Sequence, residues 1–161
     1  MLLPWRMIRT WKCLACGDCC RVYRPILTDW EAEYYQRKYG KAAVDKIGTK
    51  PVIRKINNKC VFQQGNLCSL GDDKPLSCKQ WPFLIYRHPL RFEDRELASF
   101  EMFGETWYVY VDSFCRGINL GDIPVEDVIK EVIKIHVGLQ KSQFFTTSLI
   151  KKSTMKVSRT K

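Results

Sequence analysis

The sequence predicts a small single α+β domain in which a cysteine-rich, metal-binding loop layer joins short strands to a C-terminal amphipathic helix. Three observations carry this. Short apolar and β-branched runs recur between turn residues, the pattern of brief strands. Val125, Val128, Ile129, Val132, Ile133, His136, Leu139 and Gln140 follow helical spacing. Eight cysteines lie in a chain of 161 residues, and their spacing is regular enough to be a ligand set. The length suits one compact domain, and a hydrophobic content of 45% is that of a globular protein.

Residues 1–12 form a basic, aromatic N-terminal arm containing Trp5, Arg6, Arg9, Trp11 and Lys12. A loop follows with Cys13, Cys16, Cys19 and Cys20, in which Gly17 permits the tight turn that converging sulfurs need. Thr28 and Glu31 have the spacing of a capping box, so a helix starts there and runs to about Tyr39, ending at Gly40. A second short helix is expected over 41–47. Residues 51–56 and 59–63 read as strands around Asn57-Asn58, and Gln64-Gly65-Asn66 turns into 67–70. A loop at 71–75 precedes one helical turn at 76–80. Strands are expected at 82–86, 97–103 and 106–111, the last two joined by a turn at Gly104-Glu105. Pro124 suits a first helical residue, with Asp122 nearby as a cap, and the helix is expected over 124–145. The divisions are thus the arm at 1–12, a cysteine-cluster domain at 13–121, a packed helix at 122–148 and a basic, flexible tail at 149–161.

The net charge of +10 is unevenly spread. Residues 151–161 carry five positive charges and no acid, leaving 22 basic and 17 acidic side chains in the first 150. A basic tail can hold a nucleic acid, an acidic protein partner or a membrane surface by electrostatics alone. Before it, bases and acids interleave as on an ordinary solvated face, so nucleic acid is not the expected partner. The longest apolar runs are too short to span a bilayer. No secretory signal is visible, and the expected compartment is a reducing cytoplasm, where clustered thiols hold metal more often than they form disulfides.

The cysteines follow the pattern C-x2-C-x2-C-C at Cys13, Cys16, Cys19 and Cys20, then Cys60, Cys68, Cys78 and Cys115. A C-x2-C pair places two thiolates on one soft ion or one corner of a cluster. Three cysteines at successive x2 spacing resemble the opening of the bacterial ferredoxin run, which holds an iron–sulfur cluster. Neighbouring side chains diverge, so Cys19 and Cys20 point to two sites back to back, or to one cluster with a separate role for the fourth thiol. Two four-thiolate zinc sites, or a 4Fe–4S cluster plus one zinc site, would use every thiol. Two zinc sites would lower the charge of +10 to about +6. Zinc fingers with two histidine ligands are excluded by supply: His88 and His136 are the only histidines, and their spacing is wrong. Disulfides stand as the alternative and need an oxidising compartment.

Residues 13–21, in the form C-x2-C-G-x-C-C-R, resemble the YkgJ-type CxxCxxCC cysteine-cluster family. Further elements match: Leu27-Thr28 with Glu31, Cys60 and Phe62 with Cys68, Lys74-Pro75 with Cys78, Trp81-Pro82-Phe83, and Cys115 with Gly117 and Gly121. The resemblance covers residues 13–121 and every cysteine, with Lys74, Trp81 and Arg116 replacing the family's Arg, Phe and Pro. It implies a zinc- or iron-chelating or Fe–S-cluster-containing domain, with zinc or an iron–sulfur cluster as cofactor. A similar domain is associated with flagellin lysine-N-methylase.

The functional expectation is a metal-binding protein in a redox, sensing or metal-handling role, in which Cys13, Cys16 and Cys19 share one site with a remote cysteine. Arg21, Arg24 and Lys79 would offset thiolate charge, and Trp81, Phe83 and Tyr86 would shield the metal from water. An Fe–S-dependent protein-modifying enzyme is the alternative, although the chain has no G-x-G-x-x-G, P-loop or H-E-x-x-H and no evident nucleophile–base pair beyond the thiols. A nucleic-acid-binding zinc module ranks third.

Overall fold

The computed structural model describes residues 1–145, and the tail at 149–161 lies outside the described residues. The chain opens with β1 (Leu2–Pro4), then α1 (Cys19–Val22) and α2 (Asp29–Tyr39). Three small hairpins follow: β2 (Val44–Ile47) with β3 (Lys50–Ile53), β4 (Lys55–Ile56) with β5 (Lys59–Cys60), and β6 (Gln63–Gln64) with β7 (Leu67–Cys68). The remainder is α3 (Leu76–Gln80), β8 (Phe83–Tyr86), α4 (Arg95–Ala98), β9 (Ser99–Met102), β10 (Glu105–Asp112) and α5 (Val125–His136). The α+β class is the one the sequence predicts.

The main sheet is antiparallel and built around β10. One edge of β10 pairs with β8, with Val111 opposite Phe83. Its other edge takes β9 and then β1, with Trp107 opposite Phe100 and Val111 opposite Leu3. Alternation along β10 decides what each face buries. Trp107, Val109 and Val111 pack with Val125, Val128, Ile129, Val132 and Ile133 of α5, whereas Tyr108 and Tyr110 face a smaller cluster with Ala98. The N-terminal segment is part of this core, because Trp5, Ile8 and Trp11 are all buried in it. A second core gathers Leu27, Tyr35 and Ile53 under the hairpins.

The capping box is present as expected: Thr28 Oγ1 accepts from Glu31 N–H at 3.1 Å and Glu31 accepts from Thr28 N–H at 2.9 Å. Three expectations are corrected. Residues 41–47 form only a 3₁₀ turn, Lys41–Ala43, before β2; Gly48 at φ +61° makes the hairpin that pairs Val44 with Ile53. The segment before Ser99 is helical as α4, so the strand begins later than 97. The long helix stops at His136, with Gly138 in the left-handed region at φ +83°. Beyond it the chain folds back onto buried Glu131, which accepts from the backbone N–H groups of Phe144 and Phe145 and from the Gln140 side chain.

Candidate metal centre

The first cysteines are placed by an alignment between distant segments. Trp11 N–H donates to the Ile123 carbonyl at 3.3 Å, Lys12 N–H to Gly117 at 3.1 Å, and Asn119 N–H to Thr10 at 2.8 Å. Cys13 therefore emerges beside the turn that carries Cys115. Gly117 is required there, since a Cβ would lie 1.9 Å from the Lys12 carbonyl oxygen. The Trp11 indole N–H donates to Cys115 Sγ at 3.3 Å.

Gly17 has φ +77°, the tight turn expected of it. Its carbonyl accepts from Gln63 Nε2 at 3.2 Å, which anchors the loop on the β6–β7 hairpin where Gln63 pairs with Cys68. Asp18 then receives Arg21 at 2.9 Å and Arg116 at 2.8 Å, tying the start of α1 to the residue after Cys115. Cys60 ends β5 opposite Lys55. Cys78 sits in α3, whose first N–H, from Leu76, donates to Glu31 Oε1 at 2.9 Å. The Tyr35 hydroxyl also donates to the Asp73 carbonyl at 2.7 Å, so α2 holds both the loop and the helix that present Cys78.

All eight cysteines are free, and all eight line one cavity of about 80 Å³ between the two cores. Cys13 and Cys115 rest on the main core and Cys60 on the smaller one. Their mutual electrostatics run through Cys19. Cys13 interacts with Cys19 and Cys115, and Cys115 with Cys16 and Cys19. Cys20 interacts with Cys68 and Cys60, Cys78 with those two and with Cys19, and Cys60 with Cys19 as well. Cys19 and Cys20 are the junction. The Cys20 thiol donates to Cys19, which lowers Cys19 to about 7 and pushes Cys20 far up. Burial pushes Cys13 up to about 11 and raises Cys60, Cys78 and Cys115. Most of these thiols hold their protons until something displaces them.

Two lysines missed in the sequence line this cavity, Lys55 and Lys74. Of the bases expected to offset the thiolates, Lys79 instead donates to the Lys141 carbonyl at 3.2 Å, and Arg21 is engaged by Asp18 and the Cys16 carbonyl. Among the aromatic residues, Trp81 lines the cavity, stacked on Tyr23 with centroids 4.8 Å apart. Phe83 belongs to the main core and Tyr86 packs against the Tyr108–Tyr110 cluster. His136 lies away from the thiols, hydrogen-bonded to Gln80 at 2.8 Å.

Among the described residues, no three Cys, His, Asp or Glu side chains already close around one point as a finished metal site. The donor set nevertheless fits zinc or iron: the cavity offers eight sulfurs, and its one carboxylate, Asp18, is committed to two arginines. Binding would exchange thiol protons for metal and draw the sulfurs inward. No described helix is long and apolar enough to cross a membrane. A search of curated proteins and of solved structures finds no match. A family model does match, over residues 12–116, and carries the description "putative zinc- or iron-chelating domain". With that match spanning most of the chain and every cysteine, this protein belongs to the CxxCxxCC family.

Proposed function

We propose that the chain holds zinc or iron in two adjacent four-thiolate centres, one formed by Cys13, Cys16, Cys19 and Cys115 and the other by Cys20, Cys60, Cys68 and Cys78. The observation that carries this is the gathering of all eight thiols on one cavity, with Cys13 and Cys115 on the side of the main core and Cys60 on the side of the second. Cys115 then is the remote partner of the C-x2-C-x2-C run. In this arrangement Cys19 serves the first centre and Cys20 the second, and metal on either would replace the thiol contact between them. Each set supplies the four sulfurs of a tetrahedral zinc or iron site, and the same four would ligate a 4Fe–4S cluster. A metal-handling, sensing or redox role in a reducing cytoplasm accords with eight free thiols. The nucleic-acid reading depends on residues 151–161, outside the described residues, and on the arm at 1–12, whose Trp5 and Trp11 are buried in the main core.

Anaerobic purification, metal and sulfide analysis and a visible spectrum test this. Two equivalents of zinc in a colourless protein, or iron in an absorbing one, are expected. Cys16→Ser and Cys68→Ser should each empty one centre and leave the other. A reduced, folded chain that takes up neither metal, or both variants keeping full metal content, overturns the proposal.

A further inference from the structure

Leu14, Val22 and Phe114 line the thiol cavity and are nevertheless 44%, 50% and 61% exposed, which places them at its mouth. They come from three separate places in the chain: the loop between Cys13 and Cys16, the end of α1, and the turn before Cys115. Large apolar side chains gathered at a cavity's opening, with solvent in front of them, mark a surface that another molecule covers. The charge around them is one-sided. Residues 12–25, 54–71 and 113–121, which carry seven of the eight cysteines, contain seven bases and one acid. The rest of residues 1–150 holds 15 bases and 16 acids, so the basic excess ahead of the tail gathers at the thiols. Lys12, Arg24, Arg54 and Lys59 are exposed, as are Arg21 and Arg116, which both hold that one acid, Asp18. Among the described residues Asp18 is also the one carboxylate lining the cavity.

Metal reduces this excess without reversing it, since a four-thiolate centre on a divalent ion carries about −2. Charge and shape then select among occupants. A second copy presents the same basic collar and is repelled. A flat bilayer meets the collar but does not follow side chains set around an opening. A nucleic acid brings phosphates and no aliphatic group for Leu14 and Val22. An acidic protein supplies both parts, carboxylates for the collar and a protruding apolar side chain for the mouth. We propose that the mouth of the thiol cavity is a docking surface for an acidic protein partner, gripped by Leu14, Val22 and Phe114 inside the basic collar. The surface is the same however the eight thiols divide between metals.

The test is fluorescence anisotropy on the reduced full-length chain, with metal content measured in every sample. The probe is a labelled acidic peptide whose carboxylates flank a central Leu-Phe pair. Its comparators carry Ser-Ser in place of Leu-Phe, or lysines in place of the carboxylates; phosphatidylcholine–phosphatidylserine vesicles and an oligothymidine strand are titrated beside them. The acidic Leu-Phe peptide should bind with a Kd below about 100 μM at low salt. Binding should weaken about tenfold near ~0.3 M salt and at least about fivefold without the Leu-Phe pair. Phe114→Ser should erase most of the preference for Leu-Phe over Ser-Ser; if that variant loses its native circular dichroism, Leu14→Ser makes the same measurement. Arg24→Glu with Lys59→Glu should weaken binding at least about tenfold. The equal charge change Lys130→Glu with Lys134→Glu, at exposed positions of α5, should weaken it less than about threefold. Equal weakening by the two pairs means attraction to net charge alone and overturns the docking surface. So does an unaltered Leu-Phe preference in Phe114→Ser, or no binding of the acidic peptide. Tighter binding of the vesicles, the oligonucleotide or the lysine peptide, lost on the same collar substitutions, overturns the acidic protein as occupant.

Discussion

Trp11 and Cys115, far apart in sequence, meet where the indole N–H donates to the thiol sulfur at 3.3 Å. Trp11 is 1% exposed, so the bond is sheltered from water and directed at the sulfur. A donor on sulfur favours the thiolate and orients it, offsetting part of the burial that raises Cys115. Trp11→Phe keeps an aromatic ring and removes the donor. Stability should fall by about 1–3 kcal/mol, from the lost bond and the smaller ring. Zinc affinity of one equivalent should fall roughly 10-fold, the other remaining unchanged. Denaturant melts and chelator competition measure both; equal weakening of the two equivalents would contradict the placement of Trp11 at one centre.

Glu31 acts at two helix starts with one carboxylate. Oε2 accepts from Thr28 N–H to close the capping box, and Oε1 accepts from Leu76 N–H at the head of α3. Glu31→Ala should therefore cost about 1–2 kcal/mol. It should also disturb Cys78 more than Cys13, because α3 alone carries Cys78. Alkylation rates of individual thiols in the metal-free protein, read by mass spectrometry, should rise at Cys78 and stay unchanged at Cys13. A uniform rise would mean general loosening of the domain.

These two relationships show where the sequence was readable. The Thr28–Glu31 box is local, three residues apart, and so is the apolar stripe of α5; both are visible in one dimension. The second acceptor role of Glu31 depends on how α3 folds against α2. Likewise, once Gly138 has ended α5, the return of the chain onto Glu131 through Phe144 and Phe145 is a contact that helical spacing alone does not record. The x2 spacing brings Cys13, Cys16, Cys19 and Cys20 into one loop but says nothing of Cys60, Cys68, Cys78 and Cys115, which the fold carries to the same cavity. Cys115 is brought beside Cys13 by the pairing of Lys12 with Gly117 and its neighbours, a contact between distant segments that spacing does not record. Lys74 was visible only as a departure from the family's Arg, and Lys79, nearer Cys78 in sequence, points elsewhere.

Arg116 stands where the family pattern has Pro, and it reaches Asp18 at 2.5 Å while Arg21 holds the same carboxylate at 2.9 Å. Hydrogen bonds from the two arginines keep the Asp18 carboxyl below its usual range. Both arginines are solvent-facing, so the pairs should contribute little to global stability. They instead hold the Cys16 loop against the Cys115 turn. Asp18→Asn should speed zinc loss from one centre roughly 3- to 10-fold with little change in melting temperature. Raising the salt should move wild type toward the variant, because exposed pairs are screened. Stopped-flow transfer of zinc to a chelator at two ionic strengths checks this; a salt-independent rate with no effect of the substitution would remove the clasp.

His136 supplies a pH dependence separable from metal binding. Burial lowers its pKa, with Arg87 adding to the effect. Gln80 Nε2 donates to its Nδ1 at 2.8 Å, a bond that needs the neutral ring, and Trp107 stands edge-on at 5.8 Å. Arg87 lies over that same indole, 4.0 Å from the ring to the guanidinium carbon, so a second cation at His136 is unfavourable. The sign follows from the lowered value. Above an unfolded pKa of about 6.5 both states are neutral and the contribution to stability is complete. As pH falls below 6.5 the unfolded chain takes up a proton first, and stability declines until the folded ring titrates as well. His136→Gln should flatten the part of the stability profile that starts near pH 6.5 and leave the more acidic carboxylate region in place. Urea melts of metal-free, reduced protein across that range measure it, and an undiminished slope in the variant would assign the titration to another group.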